Sequence, residues 1–234
     1  MKKILTLSLA ALMAFSAPAS ITFAAPAAEV EFVSVKAAKA TAISTVEDLK
    51  EMESNPSGSY YLAKDIALPA DFQLFGNREL QFKGTLDGKG HKLNGYTYKS
   101  SGWAENVGVF GYASGAEFKN ISVTGVNVDL QGGGTVGTLV CNATSCTFDQ
   151  IKTAGKISVT GDTAYIGGIV YSNNEKGVTK NCVNAINITV DVKGTYDSSP
   201  TCDVAGIATL ASGSSSKSLL QNCTNKGTIK VTYK

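Results

Sequence analysis

Ile166-Gly-Gly-Ile-Val, followed by Val178-Thr-Lys-Asn-Cys and then Ile186-Asn-Ile-Thr-Val, is one period of a repeat, and its reading decides the fold. The first phrase recurs as Val107-Gly-Val-Phe-Gly, Val136-Gly-Thr-Leu-Val and Val204-Ala-Gly-Ile-Ala, with starts 29, 30 and 38 residues apart. The second recurs as Phe118-Lys-Asn-Ile, Phe148-Asp-Gln-Ile and Leu219-Leu-Gln-Asn-Cys. The third recurs as Val126-Asn-Val-Asp-Leu, Lys156-Ile-Ser-Val and Thr228-Ile-Lys-Val. Three short apolar segments per period, separated by turns, describe one coil of a right-handed parallel β-helix.

The physics of stacking agrees. A single coil cannot bury its own apolar side, so it needs neighbours above and below at strand spacing. Corresponding residues then align along the shaft, where small or self-complementary side chains are tolerated. Glycine at the unit starts fits this, and so does Asn at the second turn, because a column of amides can hydrogen-bond along the axis. Residues from Tyr60 to Lys234 predict about six coils, a shaft on the order of 30 Å long.

Ahead of the shaft, Thr45-Val46-Glu47-Asp48 matches a capping box, and Leu49 and Met52 suit a short amphipathic helix that Asn55-Pro56-Ser57-Gly58 stops. That helix is expected to cap the first coil. No matching cap is visible after the last repeat, so the C-terminal coil is expected to expose a strand edge suited to docking or self-assembly. Residues 1–24 read as a signal peptide: Lys2 and Lys3, an apolar run from Ile4 to Phe15, then Thr22-Phe23-Ala24. Residues 25–42, rich in alanine, read as a flexible leader. The expected organisation is therefore signal peptide, leader, and an all-β domain over 43–234. The expected location is secreted or cell-surface, with no transmembrane segment in the mature chain.

Composition narrows the partners. Charged residues are 17% of the chain, the net charge is +2, and Arg78 and His91 are the single arginine and histidine. Scattered lysines without arginine clusters argue against nucleic acid.

The stretch from Tyr61-Leu-Ala-Lys-Asp-Ile66 through Phe82-Lys-Gly-Thr-Leu-Asp-Gly-Lys-Gly-His-Lys-Leu93, with Gly108-Val-Phe-Gly111, Gly167-Gly-Ile-Val170 and Val178 to Asn184, resembles the GLUG-motif repeats of secreted, adhesin-like bacterial β-helices. The resemblance covers roughly residues 43–234. Gln150 departs from it where Asn is expected, and so does Thr138-Leu-Val where a glycine-rich start is usual. It implies a surface or secreted module and carries over no catalytic residue.

The residues themselves give little chemistry. Glycoside cleavage needs two carboxyl groups flanking one bond, whereas Asp129, Asp149, Asp162, Asp191 and Asp203 fall at different points of their coils. Asp87-Gly-Lys-Gly-His91 places the sole histidine near an acid but reads as consecutive tight turns. No metal-ligand spacing or cofactor motif is present: Cys141 and Cys146 have a four-residue gap, and a local disulfide pinning that turn is the expectation for them. Cys182 and Cys223, 41 residues apart in two copies of Asn-Cys-x-Asn, are expected to stack as unbonded core thiols beneath an Asn181–Asn222 ladder step. Tyr96, Tyr98 and Trp103 are the candidate ligand contacts, since flat aromatics stack on sugar rings; the competing reading turns both tyrosines into the shaft with Trp103 as its lid. The function expected is a non-enzymatic module for adhesion or for binding a glycan or surface protein. The alternatives are a polysaccharide-active β-helix enzyme and a structural part of a larger surface assembly.

Overall fold

A computed structural model of the chain describes residues 39–193, 201–209 and 218–233. The expected signal peptide and most of the expected leader lie outside them. Four all-parallel sheets run along a β-solenoid. Sheet one has seven strands: Thr41–Ile43, Ser59–Leu62, Thr85–Asp87, Glu117–Lys119, Thr147–Asp149, Val178–Lys180 and Leu219–Gln221. Sheet two is built around Ser122–Leu130, Lys152–Gly161 and Val183–Val192. Sheet three stacks Ala104–Val107, Gly134–Gly137, Thr163–Gly167 and Thr201–Ala205, and sheet four Phe110–Ser114, Val140–Thr144, Val170–Asn174 and Ala208–Thr209.

The repeat phrases align as the sequence predicts. Val107, Val136, Ile166 and Val204 share one register, and Phe118, Phe148, Thr179 and Leu220 share another. Two details differ. Each unit carries four strands rather than three, because the unit-start phrase is a sharp corner joining sheets three and four. A Cβ added at Gly137 would stand 2.1 Å from the Val140 carbonyl oxygen, and one at Gly167 would stand 1.9 Å from that of Val170. Coil stacking demands glycine there as well: a Cβ at Gly108 would stand 2.3 Å from the Gly137 carbonyl oxygen of the next coil, and one at Gly137 would stand 2.5 Å from the Tyr171 amide nitrogen. The second difference is the count: the solenoid has about four full turns where about six were expected. The segment from Ser59 to Ser100 supplies strands to sheets one and two only. Opposite them, Leu74 and Phe82 make isolated bridges to Phe110 and Ala113.

The shaft is apolar and aromatic at its first coils. Phe82 lies 5.4 Å from both Phe75 and Phe118, and Phe118 stacks on Phe148 at 5.2 Å with rings 4° from parallel. Such pairs add to the burial of the rings themselves. The helix α1 (Val46–Glu51) forms as predicted. Thr45 Oγ1 accepts from the Asp48 amide at 3.0 Å, and the Asp48 carboxylate accepts from the amides of Thr45 and Ser44 at 3.0 and 2.7 Å. Those bonds hold the Asp48 carboxyl below its usual range, the Ser44 amide contributing most. Leu49 and Met52 are completely buried in the core that the helix closes. The leader ends earlier than Ala42, since Thr41–Ile43 pairs with Ser59–Leu62 as the first rung of sheet one.

Candidate functional site

The three aromatics expected as ligand contacts part company. Tyr96 precedes the strand Thr97–Ser100 and points into the shaft with no exposed surface, its hydroxyl beside the Gly108 backbone but without a hydrogen bond of good geometry. Burial pushes its pKa up. It cannot touch a ligand, which corrects the expectation for that residue. Tyr98 sits in register with Val128 and is half-buried against the core.

Trp103 is 45% exposed, at the head of coil one. Its indole Nε1 donates to Glu105 Oε1 at 3.2 Å, and its ring meets Tyr165 edge-on at 6.5 Å. Tyr165 belongs to coil three, so the indole reaches across the whole of coil two. Gly133 allows this, because a Cβ there would lie 3.3 Å from the indole. Tyr171 continues the line at 5.8 Å from Tyr165, and Asp203 stands beside Tyr165 in the next coil. Burial, and after it the charge of Asp203, raise the Tyr171 pKa. The result is a strip of three aromatic rings flanked by two carboxylates. Sequence reasoning found Trp103 but missed Tyr165 and Tyr171, which only the coil register brings beside it.

A second feature lies at the corner between sheets one and two. A shallow open groove of about 380 Å³ is lined by Lys89, Gly90, Asn120, Ser122, Gln150 and Lys152. The corner is built from left-handed residues one coil apart: Asn120, Gln150, Asn181 and Asn222 have φ of 55°, 57°, 56° and 52°. The amide ladder expected along them is largely replaced by bonds to carboxylates. Asn120 Nδ2 donates to Asp87 at 3.0 Å and Asn181 Nδ2 to Asp149 at 2.8 Å. Asn222 reaches Asn181 at 3.4 Å. A tighter amide ladder lies inside, where Thr153 Oγ1 donates to Asn184 Oδ1 at 2.7 Å and Asn184 Nδ2 to Asn225 Oδ1 at 2.8 Å. Both Asn residues of each Asn-Cys-x-Asn phrase therefore bond along the axis, and the first also supplies the left-handed turn.

The cysteines are all free thiols. Cys141 and Cys146 are not joined: the Cys141 thiol turns toward the Thr135 carbonyl at 3.6 Å and that of Cys146 toward the Thr144 carbonyl at 3.4 Å. This corrects the expected local disulfide. Cys182 and Cys223 stack as thiols at the end of a column begun by Ile121 and Ile151. Burial pushes the pKa of Cys146 up to about 11 and that of Cys182 up to about 12, and raises Cys141 further. These thiols stay protonated near neutral pH and are poor nucleophiles.

His91 does not pair with Asp87. Its Nδ1 lies 3.1 Å from Asp65 Oδ1, in the preceding turn, and both side chains are solvent-exposed. Asp65 is held below the usual carboxylate range by the Lys92 amide and then by His91. Asp87 is engaged by Lys89 at 3.2 Å and by Asn120, while Asp149 is engaged by Lys180 at 3.3 Å and by Asn181. Among the described residues no strand register sets two carboxylates side by side, and no three His, Cys, Asp or Glu side chains gather as metal ligands. No described helix is long and apolar enough to cross a membrane. Comparison with family models, with curated proteins and with solved structures finds no match to this chain.

Proposed function

We propose that the protein is a non-catalytic, secreted or cell-surface β-solenoid module that binds glycans through the strip Trp103–Tyr165–Tyr171. The observation that carries this reading is a large indole left 45% exposed yet fixed in orientation by Glu105 and Tyr165. A rigid aromatic platform loses little conformational freedom on binding and offers a flat apolar face to a sugar ring. Glu105 and Asp203 stand where hydroxyls at the ring edge would find acceptors. The order of repeat phrases that resembles GLUG-motif surface proteins supports the same reading, as does the export signal read over residues 1–24.

A glycan array screen with the secreted chain tests it. Binding to neutral glycans is expected, with Trp103→Ala lowering affinity about tenfold, the scale of one stacked ring, and leaving the thermal midpoint unchanged. Unaltered binding in that variant, or release of shortened products from any glycan, would overturn the proposal.

A second reading is favoured by one specific observation. In the last coil Leu219, Leu220, Ile229, Val231 and Tyr233 are all exposed, although the columns of Leu220, Ile229, Val231 and Tyr233 are buried in the coil before. That end is suited to docking onto a second copy of the chain.

A further inference from the structure

The groove between sheets one and two owes its character to a residue that breaks the repeat. At the left-handed corner three coils carry Asn, the residue best adapted to that backbone region after glycine, whereas coil two carries Gln150 at φ 57°. A longer side chain in that conformation costs stability, and strain of this kind is retained where function uses it. Gln150 also interrupts the local bonding, because the Asn side chains at this corner all donate to a neighbouring coil. Among the described residues the Gln150 amide makes no such bond. Among the described residues the Ser122 hydroxyl and the Lys152 ammonium, which line the same groove, are equally unengaged.

The charges near the groove are of two kinds. Lys89, Lys119 and Lys180 are paired with Asp87, Glu117 and Asp149. Among the described residues Lys152 is in no ion pair; Lys92, just outside the groove, stands in the same outward column with Ser122 between them, and its amide holds the Asp65 carboxylate at 3.0 Å without an ion pair at its ammonium. The backbones of these two lysines are thus two rungs apart, about 9.6 Å at about 4.8 Å per rung. One sugar residue of an extended chain is about as long as one rung. A linear polysaccharide with one carboxylate per disaccharide therefore repeats its charge at the spacing of these two lysines. Between them, Ser122, Asn120 and Gln150 face the neutral sugar with hydroxyl and amide groups. The groove holds no aromatic ring to stack a base and no arginine fork for a phosphate, which separates it from single-stranded nucleic-acid sites.

We propose that this groove is a second binding site, specific for linear acidic polysaccharides of the alternating uronate type. Gln150 is set there to bind rather than to stabilise. The proposal deepens the glycan reading but uses the corner of sheets one and two, whereas Tyr165 and Tyr171 of the Trp103 strip stand on sheets three and four, so the two fail separately.

The test uses the secreted chain with three probes: a hyaluronan decasaccharide, the same oligosaccharide with its carboxylates reduced to alcohols, and an oligothymidylate. Anisotropy titrations at low and physiological salt are expected to show binding of the uronate probe that weakens with salt and falls severalfold on carboxyl reduction. A variant carrying both Lys92→Ala and Lys152→Ala should lose about tenfold, the sum of two exposed charge contacts. Gln150→Asn should bind severalfold more weakly yet melt a few degrees higher, a combination that a merely structural residue would not give. Trp103→Ala should leave uronate binding intact, so a failure of the aromatic strip is visible apart from a failure of the groove. The proposal is overturned by undiminished binding in the lysine variant, by equal binding of the reduced probe, or by tighter binding of the oligothymidylate. Absence of uronate binding overturns it as well, and so does a Gln150→Asn chain that binds as the parent does.

Discussion

At the scale of the residue, the two aromatics of Tyr96-Thr-Tyr-Lys-Ser-Ser-Gly-Trp103 that differ most are separated by the direction of a single side chain. Tyr96 faces the shaft and Trp103 faces solvent. The cost of burying Tyr96 is its hydroxyl, which has only the Gly108 backbone beside it and makes no hydrogen bond of good geometry. A buried, unbonded hydroxyl costs roughly 1–3 kcal/mol of desolvation, whereas the phenyl ring alone costs nothing comparable. Tyr96→Phe is therefore expected to raise stability by about 1 kcal/mol, read as a higher urea midpoint at unchanged slope. A midpoint that falls would show that the hydroxyl is bonded. The contrast also marks what one sequence can tell. Alternation says that Tyr96 and Tyr98 differ in facing, but not which side is inward. For Trp103 the decisive neighbour, Tyr165, is supplied by another coil.

At the scale of the element, the strands and their order were legible because the spacing of apolar phrases is a direct record of stacking. Val107, Val136, Ile166 and Val204 share a register, as do the phrases around Phe118 and Phe148. What the spacing could not show was that Val-Gly and Ile-Gly mark a corner, since a glycine needed for a close approach reads the same as one needed for a turn. The opening coils escaped for a different reason: residues 68–82 fill two sides of the shaft with bridges rather than repeat strands. The Asn-Cys-x-Asn phrase marks the register, and its two Asn residues differ in place: Asn181 and Asn222 sit at left-handed turns, whereas Asn184 is buried and bonds Asn225 of the next coil. The cysteines of this element carry a pH prediction. Cys146 and Cys182 titrate in the folded chain at about 11 and about 12, against an ordinary value of 9.0. Their folded pKa values are raised, so the stability they contribute is complete below the unfolded value and is lost as pH rises through the folded one. Stability should therefore hold to about pH 9 and then fall by about 1.4 kcal/mol per pH unit for each such thiol. Urea unfolding followed from about pH 8 to about pH 10.5 reads this slope. Cys182→Val, which continues the Ile121–Ile151 column with an apolar side chain, should remove its share of the slope. A variant as alkali-sensitive as the parent would place the titration elsewhere.

At the scale of the whole molecule, the solenoid has unlike ends. Helix α1 and its capping box close the first, where Leu49 and Met52 are fully buried. At the other, Leu219–Gln221 and Ile229–Tyr233 each pair on one side only, with the columns of Val190 and Val192 running out into exposed Val231 and Tyr233. A free parallel edge with apolar side chains is a template for further strand pairing. At the other end, among the described residues, α1 packs its buried Leu49 into the core beside the first rung, Thr41–Ile43, which also pairs on one side only. Two last coils can meet about a two-fold axis, which sets their edge strands antiparallel, and such an isologous contact closes at two copies. Light scattering over a concentration series should therefore show a monomer passing to a dimer with no larger species. Val231→Lys puts an ammonium group into the apolar column at the edge, the device by which natural sheets prevent this pairing. It should hold the chain monomeric throughout while leaving hyaluronan binding at Lys92 and Lys152 unaltered. A parent chain that is monomeric at every concentration, or a series that grows past the dimer, would count against closure at this end.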